Sequence, residues 1–490
     1  MINKSTQSET NRTQLEMVTL DELVPKDHLV RKIESAIDFD FIYPMVQGLY
    51  SEDRGRPSVD PVVLIKMVFV QYLFGIRSMR QTIREIETNL AYRWFLGLGF
   101  SDKVPHFSTF GKNYVRRFQD TTLFEDIFNH ILDQAVDAGF VDPTILFVDS
   151  THVKANANKR KLKKEIVQKE AHSYREHLDA EIERDRQENG KKPLGPKKSE
   201  ADEVKEIKVS TTDPESGYYV KGEREKQFAY SVHAASDKNG FILGAVVTPG
   251  NVHDSVPFPK LIDKVTDHLG TPFAVAADSA YKTAPIAKLL IDRGILPALP
   301  YTRPKGPKGT LRKNEFVYDE YFNVYLCPNN QTLDYRTTTR DGKRQYVSDP
   351  AICATCPLLS ECTASRNHRR VIERHLWQHY LDEVEDLRHT EPAREIYRRR
   401  KETIERVFAD AKEKHGMRWT RYRGLEKVSM QAMLTFAAIN LKKMARWMWK
   451  NTQRATSRLG QSASWPKIRQ NARFSRNETG VLSTVWHLLV

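Results

Sequence analysis

Residues 144–150 read TILFVDS, and residues 273–279 read FAVAADS. Each stretch is a short apolar run that ends in Asp-Ser, and such runs are typical of buried β-strands. Aspartate is a poor strand former, and it costs free energy in apolar surroundings unless a charge or a metal ion compensates it. Either Asp149 or Asp278 alone is most simply interpreted as an exposed turn residue. The repeated ending favours a shared site at the end of two strands.

The segments around these two runs predict an α/β core. Two strand-like segments, 228–235 and 241–248, are joined by Asp-Lys-Asn-Gly, and an Asn-Gly pair between strands is a strong hairpin signal. Helical patterns follow at 255–268 and 283–293, on either side of the second Asp-Ser strand, and a last short strand is predicted near 296–299. The predicted order is strand, hairpin pair, helix, strand, helix, strand.

A third carboxylate is expected on a helix predicted over 393–414. At 100° per residue, Lys412 and Lys401 fall within about 40° of Glu405, at the border of the apolar face. A carboxylate there could reach the strand ends, and the two lysines could hold phosphates. The simpler alternative is an ordinary amphipathic helix with ion pairs along its side. Three carboxylates at one sheet edge would suit two Mg²⁺ or Mn²⁺ ions, which act in phosphodiester chemistry.

Composition excludes several classes of protein. The chain has 490 residues, enough for about three domains, and its 40% apolar content excludes wholesale disorder. Four cysteines are too few for a secreted disulfide scaffold of this length. The polar start and the lack of an apolar run of about 20 residues predict a soluble, cytoplasmic protein without a membrane segment. The net charge of +14 favours nucleic acid as a partner.

Residues 20–135 have helical patterns. Asp60-Pro61 is a typical helix start, and Ser78 and Ser108 are further candidate caps. The third of these helices would carry Lys112, Arg116 and Arg117, as in a helix-turn-helix-like DNA-binding module. A plain helical bundle with a solvated basic face is the simpler alternative.

All four cysteines fall in one segment, 302–395, which interrupts the α/β pattern. Their spacing, Cys327, Cys353-x-x-Cys356 and Cys362, suits a structural zinc site, whereas the alternative is four unrelated thiols. The nearby Arg369 and Arg370 either contact DNA or form a solvated face. A second interruption, 156–222, is highly charged and is predicted to form an exposed helix and a loop.

Six motifs resemble the DDE transposases of bacterial insertion sequences, over roughly residues 16–445. They are DRGRPSVDPVVLIKM (53–67), PHFSTFGKNYVRRF (105–118), FVDSTHVKANANK (147–159), TPGNVHDS (248–255), AADSAYKT (276–283) and ETIERVFADAKEKHG (402–416). The matching branch has an InsH-type N-terminal domain and a cysteine-bearing insertion.

The resemblance implies a ribonuclease-H-like catalytic domain, a mixed sheet flanked by helices, over 140–450. An all-α DNA-binding domain would occupy 16–135, a polar tail 1–15 and a basic tail 451–490.

The resemblance also assigns residues. It makes Asp149, Asp278 and Glu405 the DDE triad. The family's last motif has tyrosine, two residues, arginine, three residues, glutamate, six residues and lysine. Glu405 and Lys412 fit this spacing, whereas Lys401 stands at the arginine position and Arg398 at the tyrosine position. His253 and Asp254 are predicted to support the site, although His253 could equally be a hydrogen-bonded loop residue.

The leading interpretation is therefore a bacterial, nucleoid-associated enzyme that binds terminal inverted repeats, cleaves DNA strands and joins them to target DNA. Because two ends must meet, a homodimer or higher assembly on DNA is expected. The alternatives are a catalytically inactive, repressor-like DNA-binding protein and a metal-dependent nuclease without strand transfer. The sequence leaves open the repeat and target sequences and the cleavage pathway.

Overall fold

A computed structural model describes residues 15–51, 57–168, 174–195, 204–221, 225–303 and 309–458. Nearly all of the predicted N-terminal tail, and the predicted C-terminal tail beyond residue 458, lie outside these ranges. Contacts divide the chain into two units, 1–446 and 447–490. The described part of the second unit, 447–458, is helical.

The N-terminal region is helical, as predicted. Its helices are α1 (Leu20–Leu23), α2 (Leu29–Ala36), α3 (Ile42–Val46), α4 (Pro61–Leu73), α5 (Met79–Thr88), α6 (Leu90–Leu96), α7 (Ser108–Asn113) and α8 (Leu123–Asp137).

Two of the three predicted helix starts are confirmed. The Asp60 carboxylate accepts the backbone N–H groups of Val62 and Val63, and Ser78 caps α5. Ser108 is not a cap, because it is already the first residue of α7, and its N–H is accepted by the ring of His106. After α7 the chain continues as one π-helical turn, Tyr114–Phe118.

The central sheet is mixed. The first eight strands of the chain are β1 (Ile145–Lys154), β2 (Leu162–Gln168), β3 (Val204–Ser210), β4 (Gly217–Lys221), β5 (Glu225–Ser236), β6 (Ile242–Pro249), β7 (Ala274–Ala276) and β8 (Leu296–Ala298). All of them except β2 and β3 belong to the central sheet. The spatial order runs β4-β5-β1-β7-β8, and β6 also pairs with β5. The β5–β6 hairpin and the β1–β5 pair are antiparallel, whereas β1–β7 and β7–β8 are parallel. This arrangement is compatible with a ribonuclease-H-like core.

The segment predicted as a charged helix and loop contains more regular structure than expected. Helix α9 (Arg175–Glu188) is present, but β2 and β3 also form a two-stranded antiparallel ribbon on either side of it in the chain. The strands were missed because their charged residues hide the period-2 pattern of a half-buried strand.

The remaining helices before the cysteine segment are α10 (Phe258–Leu269) and α11 (Ala284–Asp292). The cysteine segment itself builds a five-stranded antiparallel sheet from β9 (Val317–Asp319), β10 (Val324–Leu326), β11 (Thr332–Thr338), β12 (Lys343–Ser348) and β13 (Val371–His375). The helices α12 (Pro350–Ala354), α13 (Leu359–Cys362) and α14 (Gln378–Leu387) accompany it.

Three helices complete the chain: α15 (Glu391–Arg399), α16 (Ile404–Lys414) and α17 (Leu425–Arg458). Helix α15 packs on β8, and α16 packs on β1. The buried Asn440 of α17 accepts the N–H of Ile242 at 2.9 Å and donates to the carbonyl of the same residue at 2.8 Å. This side chain therefore ties α17 to the start of β6.

A close joint connects the end of α4 to the end of α16. His415 lies 2.7 Å from the carbonyl oxygen of Tyr72, and Lys442 donates to the carbonyl of Leu73. Both groups satisfy acceptors that a helix C-terminus leaves open. Gly75 has φ +65°, and a Cβ there would lie 2.5 Å from the carbonyl oxygen of Lys414, so only glycine fits.

Among the residues that the structure describes, no helix is long and apolar enough to cross a membrane.

Candidate active site

The parallel pairing of β1 and β7 brings two of the predicted carboxylates to one edge of the sheet. Phe147 pairs with Ala276, and Asp149 and Asp278 each follow two residues later. Asp149 accepts the N–H of Ser150 at 2.8 Å, and Asp278 accepts the N–H of Ala280 at 2.9 Å. Asp278 comes two residues after the end of β7, as the Asp-Ser ending predicted. The strand end predicted at Asp149 was wrong: Asp149 lies inside β1, because β5 continues to pair with β1 as far as Lys154.

Glu405 joins them from α16, through an arginine. The Arg400 guanidinium lies 2.7 Å from Asp149 Oδ2 and 3.2 Å from Glu405 Oε1. Arg400 is buried, whereas the side chain of Glu405 is 45% exposed. The cation therefore bridges a carboxylate of the sheet and a carboxylate of the helix.

The pKa of Asp149 reports a crowded, negatively charged site. This pKa is raised to about 6: burial is the largest cause, Arg400 and the Ser150 N–H oppose the rise, and the carboxylates of Asp278 and Glu405 add to it. Both of the other predicted carboxylates thus lie close enough to act on Asp149. Such an environment is common at functional sites.

The helix that carries Glu405 is broken where the sequence predicted a continuous one. Between α15 and α16 the chain makes a 3₁₀ turn, Arg400–Glu402, and Thr403 has the non-helical angles φ −109° and ψ −95°. An unbroken helix would have placed Lys401 beside Glu405. The interruption instead leaves Lys401 exposed and turns Arg400 towards the carboxylates.

The broken helix also changes how the last family motif aligns. Tyr397 and Arg400 have the tyrosine-two-residues-arginine spacing, with one extra residue before Glu405. Burial raises the pKa of Tyr397, Arg400 lowers it, and the three carboxylates raise it, so this ring lies in their field. Tyr397 and Arg400 are therefore an alternative to Arg398 and Lys401 in the alignment of this motif.

Asp254 lies beside the candidate site, whereas the surroundings of His253 are those of an exposed loop residue. Burial raises the pKa of Asp254, Ser150 lowers it by a hydrogen bond, and Asp278 raises it. Asp254 Oδ1 is 3.7 Å from Nδ1 of the fully buried His233, whose pKa burial lowers to about 3. His253 is exposed and accepts the N–H of Ser255, which matches the loop alternative.

The four cysteines line one small cavity of about 30 Å³, together with Leu333 and Ile352. All four are free thiols. Burial raises the pKa of Cys362, and the other three thiols raise it further against the opposing effect of Arg370. The backbone N–H of Gln331 points to Cys327 Sγ at 3.3 Å, and the side chain of Asn329 donates to Cys356 Sγ at 3.6 Å. The cysteines are therefore a cluster and not unrelated residues.

The predicted DNA-contacting cations have different surroundings. Lys112, Arg116 and Arg369 are exposed. Arg117 bonds to Asn113 and lies over the ring of Tyr50 at 4.4 Å.

Arg370 is half-buried and makes its contacts within the cysteine segment. It donates to the carbonyls of Cys362 and Leu311 at 2.7 Å each, and it lies over the ring of Phe316. These contacts attach the Arg370 side chain to the cysteine segment, and its contact with DNA stays a prediction.

Within the described ranges, no three Asp, Glu, His or Cys side chains are arranged as a ready metal site. At the carboxylates, the Arg400 guanidinium lies between two of the candidate ligands. The donor sets still fit metals by their chemistry: carboxylate oxygens suit Mg²⁺, and four clustered thiols suit Zn²⁺.

Two family models match the chain. The model described as "Transposase DDE domain" matches residues 326–445, which include Arg400 and Glu405. The model described as "Transposase domain (DUF772)" matches residues 18–116, the N-terminal helices. A comparison with curated proteins found no match.

Proposed function

We propose, since the chain belongs to the DDE transposases of bacterial insertion sequences, that it cleaves and joins DNA strands at Asp149, Asp278 and Glu405. The observation that supports this function most is geometric: Asp278 comes from the strand that pairs with β1, and the Arg400 guanidinium links Glu405 to Asp149. The carboxylates come from segments far apart in the chain, and only the pairing of β1 with β7 and the packing of α16 on β1 brings them together.

DDE transposases use a divalent metal such as Mg²⁺, and these three carboxylates would hold it. When bound, the metal supplies Lewis-acid activation of the attacking hydroxyl and stabilisation of the leaving oxygen. The chain itself supplies the positions of the ligands. Backbone N–H groups fix Asp149 and Asp278, and Arg400 fixes Glu405 relative to Asp149. Lys412, half-buried in the cleft that begins at Ser150, would bind a DNA phosphate.

DNA recognition is proposed for the N-terminal helices, with the exposed Lys112 and Arg116 as phosphate contacts. The site would act on the terminal inverted repeats and then on target DNA. Because both ends of the element must be cut and joined, we further propose a homodimer or higher assembly on DNA.

The proposed reaction is tested with the full chain and with DNA that carries the sequences flanking its gene. We expect strand cleavage and joining to a plasmid target with Mg²⁺ or Mn²⁺, and no reaction with EDTA. Cleavage without joining would indicate a simple nuclease. Binding without cleavage in either metal would indicate the repressor-like alternative.

Arg400 and Lys401 provide a matched pair of neighbouring cations. Arg400→Ala removes two charge-assisted bonds to the carboxylates, so we expect cleavage to fall about 10- to 100-fold. Lys401→Ala removes an exposed charge, and its cleavage rate should stay within about twofold of wild type. Arg400→Lys should restore part of the rate, since it keeps the charge but not the two-pronged geometry. The opposite ranking of the two alanine variants would show that the continuous-helix alignment was right.

We also propose that Cys327, Cys353, Cys356 and Cys362 hold a structural Zn²⁺. Their shared cavity, their reduced state and the spacing of the Cys353–Cys356 pair support this. Its role would be to hold the small five-stranded sheet, whose core is built from Phe316, Tyr325, Leu333, Tyr346 and Ile372.

A further inference from the structure

An open cleft of about 410 Å³ lies along β1, the strand that carries Asp149. Its lining starts at Ser150, the residue after Asp149, and continues along β1 through Thr151, His152 and Lys154. The cleft contains three aromatic or imidazole rings and three cations, a combination that the proposed chemistry at the carboxylates does not require.

Trp419 is an exposed ring held in a fixed place. It is 44% exposed, although tryptophan usually buries most of its surface. Its backbone forms a parallel bridge with Lys154 of β1. The backbone N–H of Lys154 donates to the carbonyl of Arg418 at 3.1 Å, and the backbone N–H of Thr420 donates to the carbonyl of Lys154 at 2.9 Å. These bonds attach the ring to the strand that carries Asp149.

A second aromatic surface lines the same cleft. The rings of His152 and Tyr219 are stacked, with centroids 3.7 Å apart and an angle of 26° between their planes. Both residues lie on strands of the central sheet, β1 and β4, so this stack is also held by backbone pairing.

The charges in the cleft favour an anionic ligand. Its lining contains Lys154, Lys412 and Arg418 against one carboxylate, Glu225. Arg418 is paired with Glu413 outside the lining, and Arg77 of the N-terminal region lies 5.8 Å from the centre of the Trp419 ring. Fixed aromatic faces among cations are the pattern that binds single-stranded nucleic acid.

We propose that this cleft binds an unpaired nucleotide of the DNA strand, with its base stacked on Trp419 and its phosphates near Lys154 and Lys412. This inference rests on the proposed function for the presence of DNA, but it concerns binding and not cleavage. Because β1 carries both Asp149 and the lining residues Ser150, His152 and Lys154, the unpaired nucleotide would lie along the strand of the proposed catalytic carboxylate. Stacking requires no particular base, since every base presents a π-face.

The test uses binding without catalysis, in EDTA, with two DNA probes. One is a blunt duplex of about 30 base pairs of the gene's flanking sequence, and the other adds an overhang of about four dT residues with 2-aminopurine at the first unpaired position. Wild type should bind the overhang probe more tightly than the blunt one and quench the 2-aminopurine fluorescence.

Trp419→Ala should weaken binding of the overhang probe about 5- to 150-fold, the range for loss of one stacked base, and should abolish the quenching. Binding of the blunt duplex should stay unchanged. Trp419→Phe should keep most of both signals. Tyr321→Ala is the matched control, because Tyr321 is an 89% exposed ring in the segment of the small five-stranded sheet.

Equal loss of binding to both probes, with a lowered melting temperature, would assign Trp419 a purely structural role and overturn the proposal. A wild type that does not prefer the overhang probe would overturn it too. Neither result depends on cleavage, so an inactive but overhang-binding chain would contradict the proposed reaction and leave the cleft assignment intact.

Discussion

Asp278→Asn is expected to reduce DNA cleavage by at least about 10³-fold, because it removes one of three carboxylates from the proposed metal site. Metal-assisted stabilisation of the transition state contributes several kcal/mol, and each 1.36 kcal/mol corresponds to about tenfold in rate. The asparagine oxygen can still accept the N–H of Ala280, so the strand end should keep its conformation. The measurement is the single-turnover cleavage rate in Mg²⁺ and Mn²⁺.

DNA binding by this variant should stay within about twofold of wild type, because the proposed recognition lies in the N-terminal helices. Asp267→Asn is the matched control: Asp267 is an exposed aspartate on α10, outside the site. Full cleavage by Asp278→Asn would remove Asp278 from the catalytic set. Loss of both binding and cleavage, with a lowered melting temperature, would instead show a structural role.

Cys353→Ser should reduce the bound zinc of the purified chain from about one ion to near zero, since structural zinc sites use four ligands. The binding free energy of such a site is also folding free energy, of the order of 10 kcal/mol in small zinc domains. Proteolysis should therefore cut the variant between residues 309 and 375 faster than wild type. Elemental analysis and mass mapping of the fragments measure the two effects.

Ser360→Ala, on the exposed side of α13, is the control for this variant. Chelation of the wild type should reproduce the proteolysis pattern of Cys353→Ser. A wild type that contains no zinc after expression in zinc-supplemented medium would contradict the proposal. The four thiols would then be an apolar cluster that packs against Leu333 without a metal.

The elements that the sequence predicted well are those set by local signals. The two apolar runs before Asp149 and Asp278 form strands because their residues are buried on both faces of the sheet. The Asn-Gly turn fixes the β5–β6 hairpin, and Asp60 with Pro61 fixes the start of α4. In each case, a few neighbouring residues determine the backbone.

The predictions were less accurate where contacts between residues far apart in the chain determine the position of a side chain. A helical wheel assumes one continuous rotation, and the non-helical Thr403 breaks it, so Arg400, and not the predicted Lys401, lies beside Glu405. The sequence also does not indicate that carbonyls 8 and 59 residues away in the chain accept hydrogen bonds from the half-buried Arg370. Neither arrangement leaves a periodic trace in the sequence.

The joint between α4 and α16 has a consequence for how such an enzyme would locate its cut. Gly75 contacts the backbone of Lys414, nine residues after Glu405, and His415 and Lys442 close the end of α4. A DNA segment bound by the N-terminal helices would therefore lie at a fixed distance from the carboxylates, without a tether of variable length between them. Under the proposed function, this fixed distance determines where the DNA is cut. Inserting even a few base pairs between the recognised sequence and the scissile bond would move that bond away from the carboxylates.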